Sequence, residues 1–280
     1  GAAFGLGFIF FFLFGGLLGI WGQSLGAEPP FGVSFSAIGA ALFCLLNFTF
    51  AYFKLGESLD KTKASESHAE SSRFKHIWQV MRRPIMGPLI LSYLLSGLAM
   101  SQMESMLIPY MSDTFGWDMR TSSYGFAYIG VIMVITQGML IRKMTAKFGD
   151  PLTLSAGLIL FALSLAAIPM SPTIAAMGVA MTVLAVGNGF IRPPNLSMVS
   201  KLSSSDQGMT MGVANSMAAL GRIFGPVFGG FCYQHFGKSV PFFSASILVV
   251  LGYLVLLPVF AKLPGRKNVD LQVAESKASQ

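Results

Sequence analysis

The sequence predicts an all-α protein that crosses a membrane about eight times. Of its 280 residues, 53% are hydrophobic and 11% are charged, whereas a soluble domain carries about 25% charged residues. The apolar residues form long runs, and most basic residues fall in the segments between them. Because every backbone polar group in lipid must be bonded within the protein, we interpret these runs as helices.

Eight apolar runs approach the roughly 20 residues that a spanning helix needs. They are Ala3–Trp21, Ser36–Phe53, Met86–Tyr110, Ser122–Leu140, Leu152–Met170, Thr173–Ile191, Met209–Tyr233 and Val240–Phe260. Turn residues join several of them, as in Gly26–Pro30 and Met170–Pro172. The first run has no preceding charged segment and no cleavage-site pattern, so we expect a helix there and not a signal peptide.

The basic residues predict the orientation of the spans. Of the 19 Lys and Arg residues, 15 lie on one side, in segments 54–83 and 142–147, at Lys201 and after residue 261. The other side carries only Arg120 and Lys238, while Arg192 and Arg222 fall in or at the edge of spans. Because basic loops stay in the cytoplasm, the first side is predicted to be cytoplasmic. We therefore expect a multi-pass protein of the cell membrane, with its central linker and C-terminus in the cytoplasm. The membrane that we expect is the inner membrane of a bacterium.

A glycine pattern recurs in the first and seventh runs. Gly7 precedes the pair Gly15-Gly16 by eight residues, and Gly221 precedes the pair Gly229-Gly230 by the same distance. A period of six helices is typical of a duplicated six-helix bundle. On this interpretation, residues 1–54 are the last two helices of one bundle and residues 86–263 are a complete second bundle, so four helices are missing upstream. The alternative is coincidence between two glycine-rich helices.

The remaining segments are polar. Residues 55–85 are predicted to be a cytoplasmic linker, and residues 264–280 a disordered cytoplasmic tail. Within the linker, Phe74, Ile77, Trp78 and Met81 recur at helical spacing with basic residues between them. This pattern predicts either an amphipathic helix on the membrane surface or the first helical turn leading into the third span.

Glu104 is the only acidic residue well inside a predicted span. A carboxylate in hydrocarbon is costly, so such residues usually face a cavity and have a function. Burial raises a carboxyl pKa, which allows proton exchange near neutral pH. Tyr93, Gly97, Ser101 and Glu104 follow spacings of 4, 4 and 3 and share one helix face, which predicts a water-filled pathway. The alternative is a structural hydrogen bond to a neighbouring helix.

Arg222 lies in the middle of the seventh run and needs a negatively charged or carbonyl partner. It is predicted either to hold Glu104 or to bond carbonyls freed near Pro193-Pro194 or by a kink at Pro226. Three further polar residues are candidate contacts in the same cavity, namely Gln102, Gln137 and Asn188.

Two sets of residues are candidates for helix packing or gating. The small residues Gly221, Gly225 and Gly229 recur every four positions and allow another helix to approach closely. Gly149-Asp150 lies between two spans at the predicted cytoplasmic side, beside several basic residues. Asp150 either caps the helix that follows or makes a charged contact between bundles that forms a gate.

Several motifs, in this order, resemble the major facilitator superfamily, and specifically its twelve-span drug:proton antiporter branch. Gln102-Met103-Glu104-Ser105 with Asp113–Trp117 is similar to that family's seventh span and the loop after it, and Gln137 with Lys147–Asp150 to its eighth span and following loop. Asp206-Gln207-Gly208 resembles the loop before its eleventh span. The segment Gly221–Gly230, which includes Pro226 and Gly230, resembles its penultimate helix.

The resemblance implies two six-helix bundles that rock around a central site, and proton-coupled export of small lipophilic or cationic compounds. It assigns the first run here to the family's fifth helix and implies that the four preceding helices are absent. It also implies that the contact of Gly221, Gly225, Gly229 and Gly230 seals one conformational state. The chain departs from the family at Phe11-Phe12, where members carry Gly-Pro in their antiporter motif.

Other functional classes lack support in the sequence. There is no phosphate-binding loop, no nucleophile motif and no Cys/His ligand cluster, so we expect neither an enzyme nor a cofactor, metal site or nucleic-acid partner. The expected partners are the lipid bilayer, a small-molecule substrate, protons and the missing N-terminal helices. Two alternatives remain open, a metabolite facilitator of the same fold without proton coupling and a non-transporting membrane scaffold or receptor.

Overall fold

The computed structural model describes residues 2–26, 28, 31–54, 73–203 and 207–262. Within these residues the secondary structure is entirely helical, which confirms the all-α prediction. The helices in chain order are α1 (Ala2–Leu25), α2 (Phe35–Lys54), α3 (Arg73–Met81), α4 (Met86–Phe115), α5 (Met119–Ile135), α6 (Ile141–Ala167), α7 (Ile174–Gly189), α8 (Arg192–Leu202), α9 (Gln207–Phe236) and α10 (Val240–Lys262). A π-helical segment, Thr136–Leu140, joins α5 to α6.

The eight predicted runs fall on the long helices in the predicted order. Among the residues described, four stretches are long and apolar enough by themselves to cross a membrane, namely Phe35–Lys54, Arg120–Met170, Ile174–Leu202 and Val240–Phe260. The second of these has 51 residues, enough for two spans. It is interrupted at Gly149, whose φ of 82° is a conformation that glycine adopts far more readily than other residues. The helices α4 and α9 are less apolar because polar residues are spread along both, among them Glu104 and Arg222.

The core lies within α4 to α10. Helix α4 packs against α9 and α10, α6 packs against α7 and α10, and α5 packs against α7. Fully buried apolar side chains from these helices fill the space between them, among them Leu89, Met103, Phe126, Phe161, Leu184 and Phe242. Helix α1 packs against α5, and α2 packs against α1 without burying any of its own residues. The structure thus has one well-packed group of helices with two further helices at its side.

Helix α3 is a separate short helix that lies against α4 and α9. Val80 is completely buried, and Ile77 and Met81 pack against the core, while Trp78 is exposed with the Arg82 guanidinium 4.8 Å above its ring. The chain leaves the helix at Met81 and re-enters helix at Met86, so α3 does not run continuously into α4. The predicted linker up to residue 72 and the predicted tail lie outside the described residues.

Candidate functional site

Polar side chains from five neighbouring segments line one cavity of about 160 Å³. The residues that line it are Tyr93, Ser96, Gly97, Met100, Ser101, Glu104, Gln137, Asn188, Ile191, Arg192, Ala218 and Arg222. They come from α4, the π-helical segment, α7, α8 and α9, with Ile191 between α7 and α8. Six of the seven polar and charged residues predicted as substrate or proton contacts are therefore together in space.

Helix α4 contributes the largest part of the cavity wall. Tyr93, Gly97, Ser101 and Glu104 lie on the one face that their spacing predicts, and all four line the cavity. Tyr93 and Ser101 are buried, and the Ser101 hydroxyl donates a hydrogen bond to the backbone carbonyl of Arg222 at 3.2 Å. Glu104 is half-buried. The polar face of this helix thus meets α9 on one side and the cavity on the other.

Gln137 reaches the cavity from the π-helical segment Thr136–Leu140. A π-helical turn adds one residue to the helix, which reorients the side chains around it, and such turns are frequent at functional sites. The segment is held closely against α7, since a Cβ atom on Gly189 would lie 2.7 Å from the Thr136 Cγ2 atom. The apolar run Ser122–Leu140 predicted an uninterrupted span here, and the polar pair Thr136-Gln137 within it was the available signal of an irregularity.

Asn188 and Arg192 reach the cavity from the two ends of a helix break. Helix α7 ends at Gly189, and Phe190 donates hydrogen bonds to the carbonyls of Val186 and Gly187. Helix α8 begins at Arg192, followed by two prolines that have no N–H group to continue the pattern. Arg192 was not predicted as a site residue. An arginine at the edge of a span was the available signal, because an arginine in hydrocarbon needs a polar environment.

Arg222 projects from α9 into the cavity and is exposed. Its guanidinium interacts electrostatically with both Glu104 and Tyr93, and Arg192 also interacts with Tyr93. Among the residues that the structure describes, no carboxylate oxygen lies within 4.0 Å of the Arg222 guanidinium. Arg222 and Glu104 therefore influence each other across the cavity without forming a closed ion pair.

Gln102 is the one predicted polar contact that the structure places elsewhere. Its side chain is completely buried between α4 and α10, where Nε2 donates hydrogen bonds to the Pro241 carbonyl at 2.8 Å and to the Ser244 hydroxyl at 2.7 Å. It does not line the cavity. Gln102 directly follows Ser101 of the polar face of α4, and a step of one residue along a helix turns the side chain by about 100°.

The glycines of α9 lie directly against α4. A Cβ atom on Gly221 would come within 2.8 Å of the Leu98 backbone nitrogen, and one on Gly225 within 2.8 Å of the Leu98 carbonyl oxygen. On Gly229 it would come within 2.8 Å of the Gln102 Cγ atom, whereas on Gly230 it would meet no heavy atom within 4 Å. The ridge of three small residues thus brings the two helices that carry Glu104 and Arg222 into backbone contact.

Asp150 lies just after the interruption at Gly149, at the start of the second half of α6. Its Oδ2 atom accepts a hydrogen bond from the Ser197 hydroxyl at 2.8 Å and from the Lys201 ammonium at 2.7 Å. Both partners belong to α8. Asp150 thus joins the ends of two helices within one group of helices.

Comparisons with known proteins agree with this architecture. The sequence profile of the Major Facilitator Superfamily matches residues 138–278, half of the chain. The chain belongs to the Major Facilitator Superfamily. The members to which the chain is similar are transporters and not enzymes, which confirms the prediction of a family member that is not an enzyme.

Individual members of the superfamily are similar over most of the chain. Mouse "Solute carrier family 22 member 18" is 25% identical over 270 residues, which cover 96% of this chain and 64% of the relative. "Multidrug resistance protein 1" of Bacillus subtilis (strain 168) is 26% identical over 229 residues, covering 80% of this chain and 56% of the relative. The crystal structure of the human organic anion transporter MFSD10 (TETRAN) matches with a TM-score of 0.57 and 24% identity over 60% of this chain and 40% of that one. The chain thus spans less than two thirds of the length of each of these members.

Proposed function

We propose that this protein is a proton-coupled secondary transporter, in which the cavity binds a small organic compound and Glu104 takes up and releases the coupled proton. The observation that carries the proposal is the position of Glu104, the one acidic residue among those described as lining the cavity. A carboxyl group in a membrane is costly to keep charged, so its protonation responds to the charges that enter and leave beside it. That response is the physical basis of coupling.

The proposed mechanism is alternating access between two helical bundles. The described bundle contributes Glu104 and Arg222 on two helices that are in backbone contact through Gly221 and Gly225. A second bundle, to which α1 and α2 belong, would close the cavity from the other side. We propose that four further helices complete that bundle, and that the protein lies in a cell membrane with its central linker in the cytoplasm.

One form of this proposal, suggested by the sequence, is export of lipophilic or cationic compounds in exchange for protons. A cation and a proton compete for the Glu104 carboxylate, so binding of one favours release of the other. The apolar side chains of Met100, Ile191 and Ala218 beside the polar groups suit a lipophilic compound. The name of the Bacillus subtilis relative supports an export role.

The second candidate function is facilitated passage of a metabolite without proton coupling. It is favoured by Arg222, whose guanidinium lines the same cavity as Glu104 and attracts an ionised carboxylate. A carboxylate that stays ionised throughout the cycle would bind substrate without carrying protons. A non-transporting scaffold is less well supported, since it gives no reason for a polar cavity between the helices.

Replacement of Glu104 separates coupled from uncoupled transport. We expect Glu104→Gln to abolish substrate-driven proton movement, because the amide keeps the shape of the side chain but exchanges no proton near neutral pH. The measurement uses the complete gene product in proteoliposomes with a pH-sensitive dye inside. The substrates are dansylglycine and dansylethylenediamine, which share one fluorophore and carry opposite charges.

The matched control is Ser105→Ala at the neighbouring position. Within the described part of the chain, the Ser105 hydroxyl donates hydrogen bonds to carbonyls of its own helix, at 2.8 and 3.1 Å, and to no other helix. This variant should transport and couple as the unaltered protein does. Proton movement that survives Glu104→Gln would contradict the proposal, and so would transport by the unaltered protein without any proton movement.

A further inference from the structure

The charges around the cavity are unequal. Among its described lining residues, three are charged, namely Glu104, Arg192 and Arg222. Two guanidinium groups therefore face one carboxyl group, and arginine stays protonated at any physiological pH. The wall carries a net positive charge when Glu104 is ionised and a larger one when Glu104 is protonated.

The two arginines converge on the same side chain. Arg192 comes from the start of α8 and Arg222 from the middle of α9, yet both interact electrostatically with Tyr93 of α4. Tyr93 is buried except for the part that lines the cavity, and its hydroxyl is a further hydrogen-bond donor. Three donor side chains from three helices therefore border one region of the cavity.

Arg222 has the capacity to bind a ligand there. Its guanidinium is exposed to the cavity, and no described carboxylate lies within 4.0 Å of it. A guanidinium presents a planar fork of N–H donors that matches the two oxygens of a carboxylate. Because an arginine within a membrane needs polar or charged partners, an anion that enters the cavity is a favourable partner for this guanidinium.

We infer that the substrate carries an anionic group, a carboxylate or sulfonate, that binds between Arg222 and Arg192 with the Tyr93 hydroxyl as a further donor. This inference rests on the proposed function, in that it assigns the cavity to the substrate, and it names the substrate class. A cationic substrate would have Glu104 as its one charged partner in the described wall and would meet two like charges. The geometry thus points away from the cationic compounds that the sequence suggested.

An anionic substrate sets the sign of the coupling. An anion beside Glu104 disfavours the ionised carboxylate and so favours uptake of a proton, and by linkage a protonated Glu104 favours the anion. Proton and substrate therefore bind together and travel in the same direction. A cation would give the opposite linkage and exchange.

Equilibrium binding to the complete gene product in lipid nanodiscs tests whether the cavity binds an anion and whether a protonated Glu104 favours it. We expect dansylglycine to bind more tightly than dansylethylenediamine, and more tightly at acidic than at alkaline pH. Arg222→Gln should weaken binding of dansylglycine by about tenfold or more, because one charge-assisted contact is lost. Arg222→Lys, which keeps the charge without the planar fork, should give an intermediate loss. The control Arg142→Gln removes an exposed positive charge outside the cavity and should leave affinity unchanged.

Glu104→Gln distinguishes this inference from the proposed function. It should bind dansylglycine at least as tightly as the unaltered protein and without the pH dependence, since the neutral amide mimics the protonated carboxyl. Equal or tighter binding of the cation, no binding of dansylglycine, or an unchanged affinity in Arg222→Gln would overturn the anion site. Coupled proton movement in Glu104→Gln would instead overturn the proton-coupling role and leave the anion site standing.

Discussion

At the scale of single residues, the two acidic residues Asp118 and Asp150 show how differently a carboxylate is fixed outside the cavity. Asp150 is held by Ser197 and Lys201 of another helix, in a partly buried salt bridge of 2.7 Å. Asp118 is exposed and caps its own helix, α5, by accepting a hydrogen bond from the Thr121 N–H at 2.8 Å. The first contact joins two elements, whereas the second stabilises the start of one.

The cap at Asp118 predicts a dependence of stability on pH. Hydrogen bonds from the Thr121 hydroxyl and backbone N–H hold the pKa of Asp118 below its ordinary value. Since the folded-state pKa is the lower one, the stabilisation is fully present above the unfolded-state pKa and is lost as the pH falls through the folded-state pKa. We expect Asp118→Ala to lower the melting temperature at neutral pH and to make little difference at strongly acidic pH.

Thermal unfolding of the purified protein in detergent, recorded by circular dichroism across the acidic range, measures this. Asp118→Asn is the matched variant, because the amide oxygen still accepts the cap hydrogen bond but does not titrate near that pH. At neutral pH, the melting temperature of Asp118→Asn should lie between those of Asp118→Ala and the unaltered protein. A loss in Asp118→Ala of the same size at every pH would contradict the role of the charge.

At the scale of elements, the helices around the cavity are irregular where they line it. A π-helical turn presents Gln137, and a break between α7 and α8 presents Asn188 and Arg192. Irregular backbone within a membrane is tolerated where it lines a cavity or is buried in protein. By contrast, α4 and α9 run through the site as 30-residue helices and are joined by their glycine contact. We interpret the regular pair as the support and the irregular segments as the parts that shape the cavity.

The close contact between α4 and α9 predicts that a larger residue at Gly225 destabilises the protein. In Gly225→Ala the new methyl group would lie 2.8 Å from the Leu98 carbonyl oxygen and 3.0 Å from the Gln102 backbone nitrogen. Backbone atoms yield little, so we expect a loss of about 1–3 kcal/mol in the free energy of unfolding. Gly230→Ala, five residues along the same helix, meets no heavy atom within 4 Å and should change stability little.

Unfolding curves of Gly225→Ala and Gly230→Ala in the same detergent measure the difference in their free energies of unfolding. Gly225 lies about one helical turn after Arg222 and contacts the α4 backbone. A shift of α9 away from α4 at Gly225 would displace Arg222, so Gly225→Ala should also weaken binding of dansylglycine. Equal stability of the two variants would contradict a backbone contact between α9 and α4 at Gly225.

At the scale of the whole molecule, the described bundle leaves large apolar surfaces without protein partners. On α9, Ile223 and Val227 are 62% and 70% exposed, and none of the residues of α2 is buried. The cavity is bordered by α4, the π-helical segment, α7, α8 and α9, while α1 packs against α5. Lipid covers such surfaces in a membrane, but alternating access needs a second set of helices to open and close the cavity.

We therefore expect the gene to encode more of the first bundle than this chain contains. The chain spans 64% of the mouse relative and 56% of the Bacillus subtilis relative, which leaves room for further helices. DNA sequence upstream of Gly1 should show four more hydrophobic segments in the same reading frame. A stop codon directly before Gly1 would contradict the two-bundle arrangement and favour the scaffold alternative.

The sequence by itself determined the membrane helices, their order and the polar face of α4. Tyr93, Ser101 and Glu104 could be placed together because their spacing follows the period of a single helix, a local property. Gly221, Gly225 and Gly229 were predicted to form a packing surface for the same reason. In each case the relevant neighbours lie within a few turns of one element, where backbone geometry leaves little freedom.

Only the tertiary structure decided what these faces meet. It placed Arg192 in the cavity, moved Gln102 to the contact with α10, and inserted a π-helical turn before Gln137. None of these follows from periodicity, because each depends on how helices far apart in the sequence approach one another. The charge of the cavity also depends on the tertiary structure. The family resemblance implied lipophilic or cationic compounds, whereas the anionic substrate that we propose follows from the arginines of α8 and α9 that line the cavity with Glu104.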